Sequence, residues 1–350
     1  GVIPQICGVF GNCGGGLSVV PALCDFAFVE ESKGRMFVNT PDAIEGNRTE
    51  KCDTASAAFQ SEKNGFIDMV GTEGEVIEQI RALVSVLPAN NKDHDSYEVG
   101  ADDLNRLCEG IESRVEDPAE LLAMLGDEYL FFETKRNYAK DMVTGFLKLN
   151  GMTVGTVANR SAVYNEDGEK TDTYDGCLSA NGCQKAAEFV KFCDAFGIPV
   201  LTLTNVSGLH ASMHSEQHLA KAMAMLTYAF TDATVPKVNV VTGKAYGSAY
   251  VTMNSKAVGA DLVYAWPNAE IGMMEADMAV KIMYTGADAE ELARQAEAYR
   301  NLQSSPVSAA KRGYVDAIIE PQSTRKYLIA AFEMLFTKKE IRPAKKHGTV

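Results

Sequence analysis

The sequence predicts an α/β fold made of two similar units in tandem, and three observations predict it. The first is a duplicated element: residues 4–18 read P-Q-I-C-G-V-F-G-N-C-G-G-G-L-S and residues 236–250 read P-K-V-N-V-V-T-G-K-A-Y-G-S-A-Y. Pro4 matches Pro236, Gly11 matches Gly243 and Gly15 matches Gly247. In each copy a short apolar run enters a glycine-rich turn followed by small and apolar residues, the pattern of a strand feeding a helix N-terminus. The second observation is that the duplication continues downstream, as N-G-F-I-D-M-V at 64–70 and R-G-Y-V-D-A-I at 312–318, each followed by a helical stretch, 73–86 and 324–336. This is an internal repeat at the scale of a domain. The third is the alternation of β-forming runs with amphipathic helices through the second unit, which calls for crossover connections and a largely parallel sheet.

In chain order, residues 1–88 hold the first unit. A polar connector follows at 88–107, containing A-N-N-K-D-H-D-S at 89–96, and sets the division at 1–100 and 101–350. Asp117-Pro118 then opens a helix, with Asp at the cap and Pro at the first position. The second unit reads as strand 152–159, helix 179–196, strand 199–205, helix 215–231, strand 237–242 and helix 247–258. Roughly 100 residues of the second unit precede Pro236, a domain-sized stretch, whereas only Gly1, Val2 and Ile3 precede Pro4. The expectation is a first unit lacking its N-terminal part, either as a fragment or with that part on a separate polypeptide.

At 350 residues and 46% hydrophobic content the chain can bury the cores of two domains. A formal charge of −14 argues against a nucleic-acid partner, since neutralising phosphates needs a basic face. No run of about 18 apolar residues and no signal-type segment is present. The eight cysteines form no C-x-x-C pair and read as small core residues of a reducing compartment.

The candidate chemistry sits in the two turns. A helix start leaves backbone N–H groups unpaired, and such groups hold negative charge. Glycine removes the Cβ that would keep a ligand from them. Gly14, Gly15 and Gly16 in the first copy, and Gly247, Ser248 and Ala249 in the second, are therefore candidate oxyanion donors. A tight packing turn is the bland reading of either cluster alone; duplication at matching positions favours the chemical one. No nucleophile elbow, P-loop or dinucleotide glycine motif occurs, so a chemistry of backbone donors and a bound cofactor fits better than a catalytic triad. His210, His214 and His218 have the spacing of metal ligands. His210, however, reads as a loop residue ahead of the helix, and Glu216 falls on the opposite helical face. The reading assigns no metal and leaves solvated residues or one substrate-proximal histidine. That loop follows the carboxyl end of strand 199–205, where α/β sheets place ligands. Trp266 reads as packing, and the basic tail 338–347 as a solvated or subunit-contact segment, with a CoA phosphate contact as its functional alternative.

With these residues in place, the chain resembles the carboxyltransferase β-subunits of biotin-dependent acyl-CoA carboxylases and decarboxylases, of the propionyl-CoA carboxylase type. The stretches that carry the resemblance are G-V-I-P-Q-I and G-N-C-G-G-G at the start, F-F-E and N-Y-A-K at 131–140, N-G-M-T-V-G-T-V-A-N at 150–159, F-C-D-A-F-G-I-P at 192–199, A-T-V-P-K-V at 233–238, K-A-Y-G-S-A-Y at 244–250, A-W-P-N-A-E-I at 265–271, R-G-Y-V-D-A-I-I-E-P at 312–321 and R-P-A-K-K-H-G near the end. The resemblance implies two crotonase-like domains and transfer of CO2 between carboxybiotin and the α-carbon of an acyl-CoA, in either direction, without a side-chain base. It implies that Gly15 and Gly16, beside Gly14, hold the thioester enolate, and that Ser248 and Ala249, beside Gly247, hold the biotin ureido oxygen. It further implies a dimer-based oligomer, commonly a hexamer, with sites formed between copies, in the cytoplasm or, in a eukaryote, the mitochondrial matrix. No A-M-K-M biotinyl motif occurs, so the biotin carboxyl carrier, and a biotin carboxylase or decarboxylase-complex subunits, are expected as other chains.

This chain departs from the family pattern at Val206-Ser207-Gly208-Leu209, where V-P-G-F is usual, at Ser248 in place of the second glycine of G-G-A, and at Val251, where Asp is frequent and acyl preference is set. Gly208, His210 and Val251 are accordingly the expected specificity positions, and the acyl group stays open. The competing readings are a crotonase-type acyl-CoA hydratase or isomerase, for which Asp25 is the carboxylate nearest the first turn in sequence, and a non-catalytic CoA-binding scaffold.

Overall fold

The computed structural model describes residues 1–93, 102–165 and 167–343. Two compact units are present: Gly1–Ser96 with Phe132–Lys140 and Ala195–Gly197, and Tyr97–Phe131 with Asp141–Asp194 and Ile198–Val350. The expected boundary at 100/101 and the core of the expected connector fall on 94–101, outside the described residues, as does the end of the basic tail from 344.

In the first unit, strands Ile6–Val9, Phe26–Glu30 and Ile67–Gly71 form a parallel sheet with Phe26–Glu30 in the middle. All five residues of that central strand are buried, as expected for a parallel strand covered on both faces. A second parallel pair joins Asn12–Gly14 to Arg35–Phe37. Val9, Cys13, Val29, Met36, Ala57 and Ile67 make the core. Helix Glu73–Val86 starts on a capping box, in which Glu75 N–H donates to Thr72 Oγ1 and Thr72 N–H donates to Glu75 Oε2 at 2.8 Å.

The turn after Phe26–Glu30 is closed by the Glu30 carboxylate. It accepts the Ser32 hydroxyl at 2.6 Å and the backbone N–H groups of Lys33, Ser32 and Gly34. The Ser32 hydroxyl first, then the Lys33 N–H, hold its carboxyl down to about 2, against an ordinary value of 4.5. Because the folded value is depressed, the stabilisation is complete above about 4.5 and is lost as pH falls toward about 2. Glu30→Gln should therefore flatten the acid limb of stability in this unit. Amide exchange of residues 27–37 between pH 2 and 5 reads this, and an acid limb identical to wild type would refute it.

In the second unit the strand order is Ala317–Ile318, Leu262–Ala265, Lys237–Tyr246, Val200–Val206, Met152–Asn159, Met142–Leu149. The pairs are parallel except the last hairpin. Glu270–Gly272 adds in parallel to the far end of Lys237–Tyr246. Helices Pro118–Leu125, Ala180–Ala195, Met213–Asp232 and Thr324–Leu335 lie close to their expected positions. Trp266 is fully buried, with its indole N–H donating to Thr324 Oγ1 at 2.9 Å, which is the packing role. Lys338 of the tail is held by Asp261 Oδ2 at 2.9 Å and the Val235 carbonyl at 3.1 Å.

Two expectations are corrected here. The strand expected at 237–242 runs on to Tyr246. Its register shifts where Asn205 Oδ1 takes the Lys244 N–H at 2.9 Å and leaves no room for a Cβ at Gly243, which would lie 2.5 Å away. Gly243 is thus a strand bend rather than a turn. The helix expected at 247–258 stops at Thr252, and a separate 3-10 turn covers Lys256–Val258. Asn254 lies between them at φ 50°, buried, with Nδ2 on Thr202 Oγ1 at 3.2 Å.

The units share more than their strand order. Gln5 N–H donates to Asp25 Oδ2 at 2.7 Å, and Lys237 N–H donates to Asp261 Oδ2 at 2.8 Å. Ala27 N–H donates to Asp68 Oδ2 at 2.8 Å, and Val263 N–H donates to Asp316 Oδ2 at 2.7 Å. Asp68 and Asp316 are the aspartates of the duplicated I-D-M-V and V-D-A-I stretches. Each repeats one task, pinning a strand by its backbone. The eight cysteines are unpaired, and burial pushes the Cys183 thiol up to about 12. Among the described residues no helix is long and apolar enough to cross a membrane.

Candidate active site

Each glycine turn is built by the sheet strand that enters it. In the first unit, Gly14 pairs with Phe37 and a Cβ there would lie 2.4 Å from the Phe37 ring. Gly14 therefore has a packing reason to be glycine. Gly15 adopts φ +60°, and neither it nor Gly16 has any atom within 4 Å of where a Cβ would stand. The Ser18 hydroxyl donates to the Gly15 carbonyl at 2.7 Å and fixes the turn. No side chain caps its start. Leu17, Val19, Val20 and Leu23 beside it are exposed and apolar.

The second turn has the same backbone. Tyr246 precedes it at φ −115°, against −114° for Gly14, and Gly247 adopts φ +57°. Again no side chain caps the helix Gly247–Thr252, whereas Ser212 caps Met213–Asp232 and Asp288 caps Ala289–Tyr299. A first helical turn has no intrahelical partner for its N–H groups, so both turns keep donors available. Ser248 is exposed, Ala249 is buried and Val251 is 40% exposed.

The departures from the family pattern gather at this second turn. Gly208–Leu209 pairs in parallel with Cys177–Leu178 and packs against helix Gly247–Thr252. His210 follows directly, in the loop before Met213–Asp232 as expected. Its backbone N–H donates to the Leu178 carbonyl at 3.0 Å, and its Nδ1 lies 2.7 Å from Asp175 Oδ2. Burial pushes the Asp175 carboxyl up, but the His210 ring and the Cys177 N–H outweigh it and leave the group below the usual carboxylate range. His214 and His218 stack on each other with ring centroids 4.4 Å apart, and His218 Nδ1 lies 2.9 Å from the His214 carbonyl. No group of three His, Cys, Asp or Glu side chains is arranged for a metal among the described residues.

Sequence reading missed the polar support beneath the second turn. Tyr246 donates to Glu270 Oε2 at 2.5 Å, and Lys244 Nζ pairs with Glu275 at 3.1 Å. Strand pairing between 244–246 and 270–272 brings these together, and nothing in the local pattern announces that pairing.

Comparison with known proteins follows this geometry. The model of the carboxyl transferase domain family matches residues 1–350. The propionyl-CoA carboxylase beta chain of Roseobacter denitrificans is 38% identical, over 100% of this chain and 69% of that protein. The methylmalonyl-CoA carboxyltransferase 12S subunit of Propionibacterium freudenreichii subsp. shermanii is 36% identical, over 99% and 68%. A solved structure of transcarboxylase 12S, described as a hexamer assembly with hydrolysed methylmalonyl-coenzyme A bound, superposes with a TM-score of 0.89 at 36% identity, covering 99% of this chain and 68% of that one. With its whole length matched and its α/β architecture shared with that structure, the chain belongs to the carboxyl transferase domain family.

Proposed function

We propose that this chain moves a carboxyl group between biotin held on a separate carrier chain and the α-carbon of an acyl-CoA, using two crotonase-like domains divided near residue 100. The observation that carries this reading is the matched pair of uncapped glycine turns, Gly15 at φ +60° and Gly247 at φ +57°. The open space beside Gly15 and Gly16 suits close approach of a thioester. Their N–H groups hold its oxygen as negative charge grows there, each such donor contributing roughly 2.7–4 kcal/mol. Biotin, when bound, supplies the transferable carboxyl and the base that accepts the α-proton. Ser248 and Ala249 present N–H groups to its ureido oxygen, with Gly247 allowing the approach. Val251, Gly208 and His210 form the rim that selects the acyl group. The relatives named for propionyl-CoA and methylmalonyl-CoA make short acyl-CoAs the first substrates to try. A ring of copies like the hexameric transcarboxylase core, in the cytoplasm or mitochondrial matrix, would let the first turn of one copy meet the second turn of another.

The hydratase alternative loses its carboxylate: Asp25 already accepts the Gln5 N–H and serves the same structural task as Asp261 in the other unit. The deciding assay is decarboxylation of malonyl-, methylmalonyl- and glutaconyl-CoA with and without free biotin. Turnover that requires biotin is expected; CoA-ester binding with no turnover would replace this reading with the scaffold.

A further inference from the structure

We infer that Arg300 is a positioning residue for the second glycine turn, acting through Glu270 and Tyr246; this rests on the assignment of that turn to biotin. Tyr246 is buried and stands immediately before Gly247. Its hydroxyl donates to Glu270, whose other oxygen, Oε1, lies 3.9 Å from Arg300 Nε. Arg300 also holds Asp277 at 2.9 Å and lies 3.7 Å from Glu297. One guanidinium thus gathers carboxylates from strand Glu270–Gly272 and from helices Ala276–Met283 and Ala289–Tyr299.

A second contact couples the same parts. Arg300 opens a π-helical turn, Arg300–Ser304, and such turns inside helices are rare and recur at functional sites. It ends on Ser304, which is fully buried with no hydrogen-bond partner for its hydroxyl. Ser304 Oγ lies 3.0 Å from where a Cβ of Gly272 would be, so packing and not hydrogen bonding places it. The next residue, Met273, sets its carbonyl 3.1 Å from the missing Cβ of Gly247. The turn is therefore gripped on both sides, by the Tyr246 hydroxyl and by the Met273 carbonyl. Both grips are carried by one short strand that Arg300 and its π turn hold in place. Burial first, and Glu270 next, keep the Tyr246 phenol well above its usual value, so it stays a donor.

The test compares Arg300→Met, Arg300→Lys and Tyr246→Phe in the full chain, assayed by free-biotin-dependent decarboxylation of an acyl-CoA that the wild type turns over. Losing a hydrogen bond to a charged partner corresponds to about a tenfold change, and it is expected in kcat/KM for biotin while KM for the acyl-CoA stays at the wild-type value. Arg300→Lys should recover part of the loss, and adding Tyr246→Phe to Arg300→Met should cost little more, since both cut one chain of contacts. Equal changes in the constants for biotin and acyl-CoA, or no change in Tyr246→Phe, overturn the inference while leaving the function reading intact. A wild type whose turnover ignores biotin removes both. Tyr246→Phe deletes only a hydroxyl, so the test survives if Arg300→Met does not fold.

Discussion

Gly16→Val is expected to fold as the wild type does and to lose about 10²–10³-fold in carboxyl transfer, the loss typical of removing one oxyanion donor. The position is chosen on geometry. At Gly14 a side chain would strike Phe37, and at Gly15 a valine would have to adopt φ +60°, a strained conformation for a β-branched residue. Loss of activity at either would be ambiguous. Gly16 has neither problem: its φ is ordinary, and no atom lies within 4 Å of the added Cβ. What a valine there obstructs is a ligand reaching the backbone. Thermal unfolding checks the fold and single-substrate turnover checks the chemistry. Wild-type turnover from a folded Gly16→Val protein would remove the first turn from the mechanism.

Much of the fold was legible because its strongest signals are local. The apolar runs at 152–159 and 199–205 and the helices at 73–86 and 179–196 come out within a residue or two, since period and capping residues fix them. The two turns were legible because they are duplicated. The errors are where a distant residue decides. Gly243 looks like turn chemistry, but Asn205 makes it a bend in a continuing strand. Helix 247–258 is broken by the buried side-chain bonds of Asn254. Asp25 looks like a spare carboxylate beside a candidate site, and only its bond to the Gln5 N–H shows it occupied. His210 was placed in the right loop, but its partner Asp175 precedes it by a helix and a strand. No spacing rule connects them.

Arg325→Met is expected to cost about 3–5 kcal/mol of stability, because it strands buried carboxylates without their cation. Arg325 is fully buried and donates to the Asp103 carbonyl at 2.9 Å, to Asp102 Oδ2 at 3.3 Å and to Asp127 Oδ1. Asp127 in turn accepts the N–H groups of Asn150 at 3.1 Å and Gly151 at 2.8 Å, so it ties helix Thr324–Leu335 to the turn of the Met142–Asn159 hairpin. Asp102 keeps Arg106, which also bonds the carbonyls of Met124 and Gly126. The loss should therefore fall mainly on Asp127, and adding Asp127→Asn to Arg325→Met should return part of it. The pH dependence has a definite sign. Burial pushes the Asp102 carboxyl up, but the Arg106 hydrogen bond, the Glu128 N–H and the charges of Arg106 and Arg325 outweigh it and hold the group below its ordinary value of 3.8. A depressed carboxyl stabilises the fold above that value and ceases to do so as pH falls through the folded one. Removing Arg325 removes part of the depression, so the variant should lose less than the wild type on acidification below about pH 4. Urea unfolding at pH 7 and at pH 3 measures both effects. A deficit under about 1 kcal/mol at neutral pH would place this cluster among ion pairs that contribute little, and the grip on the second unit's hairpin would then have to come from its apolar core alone.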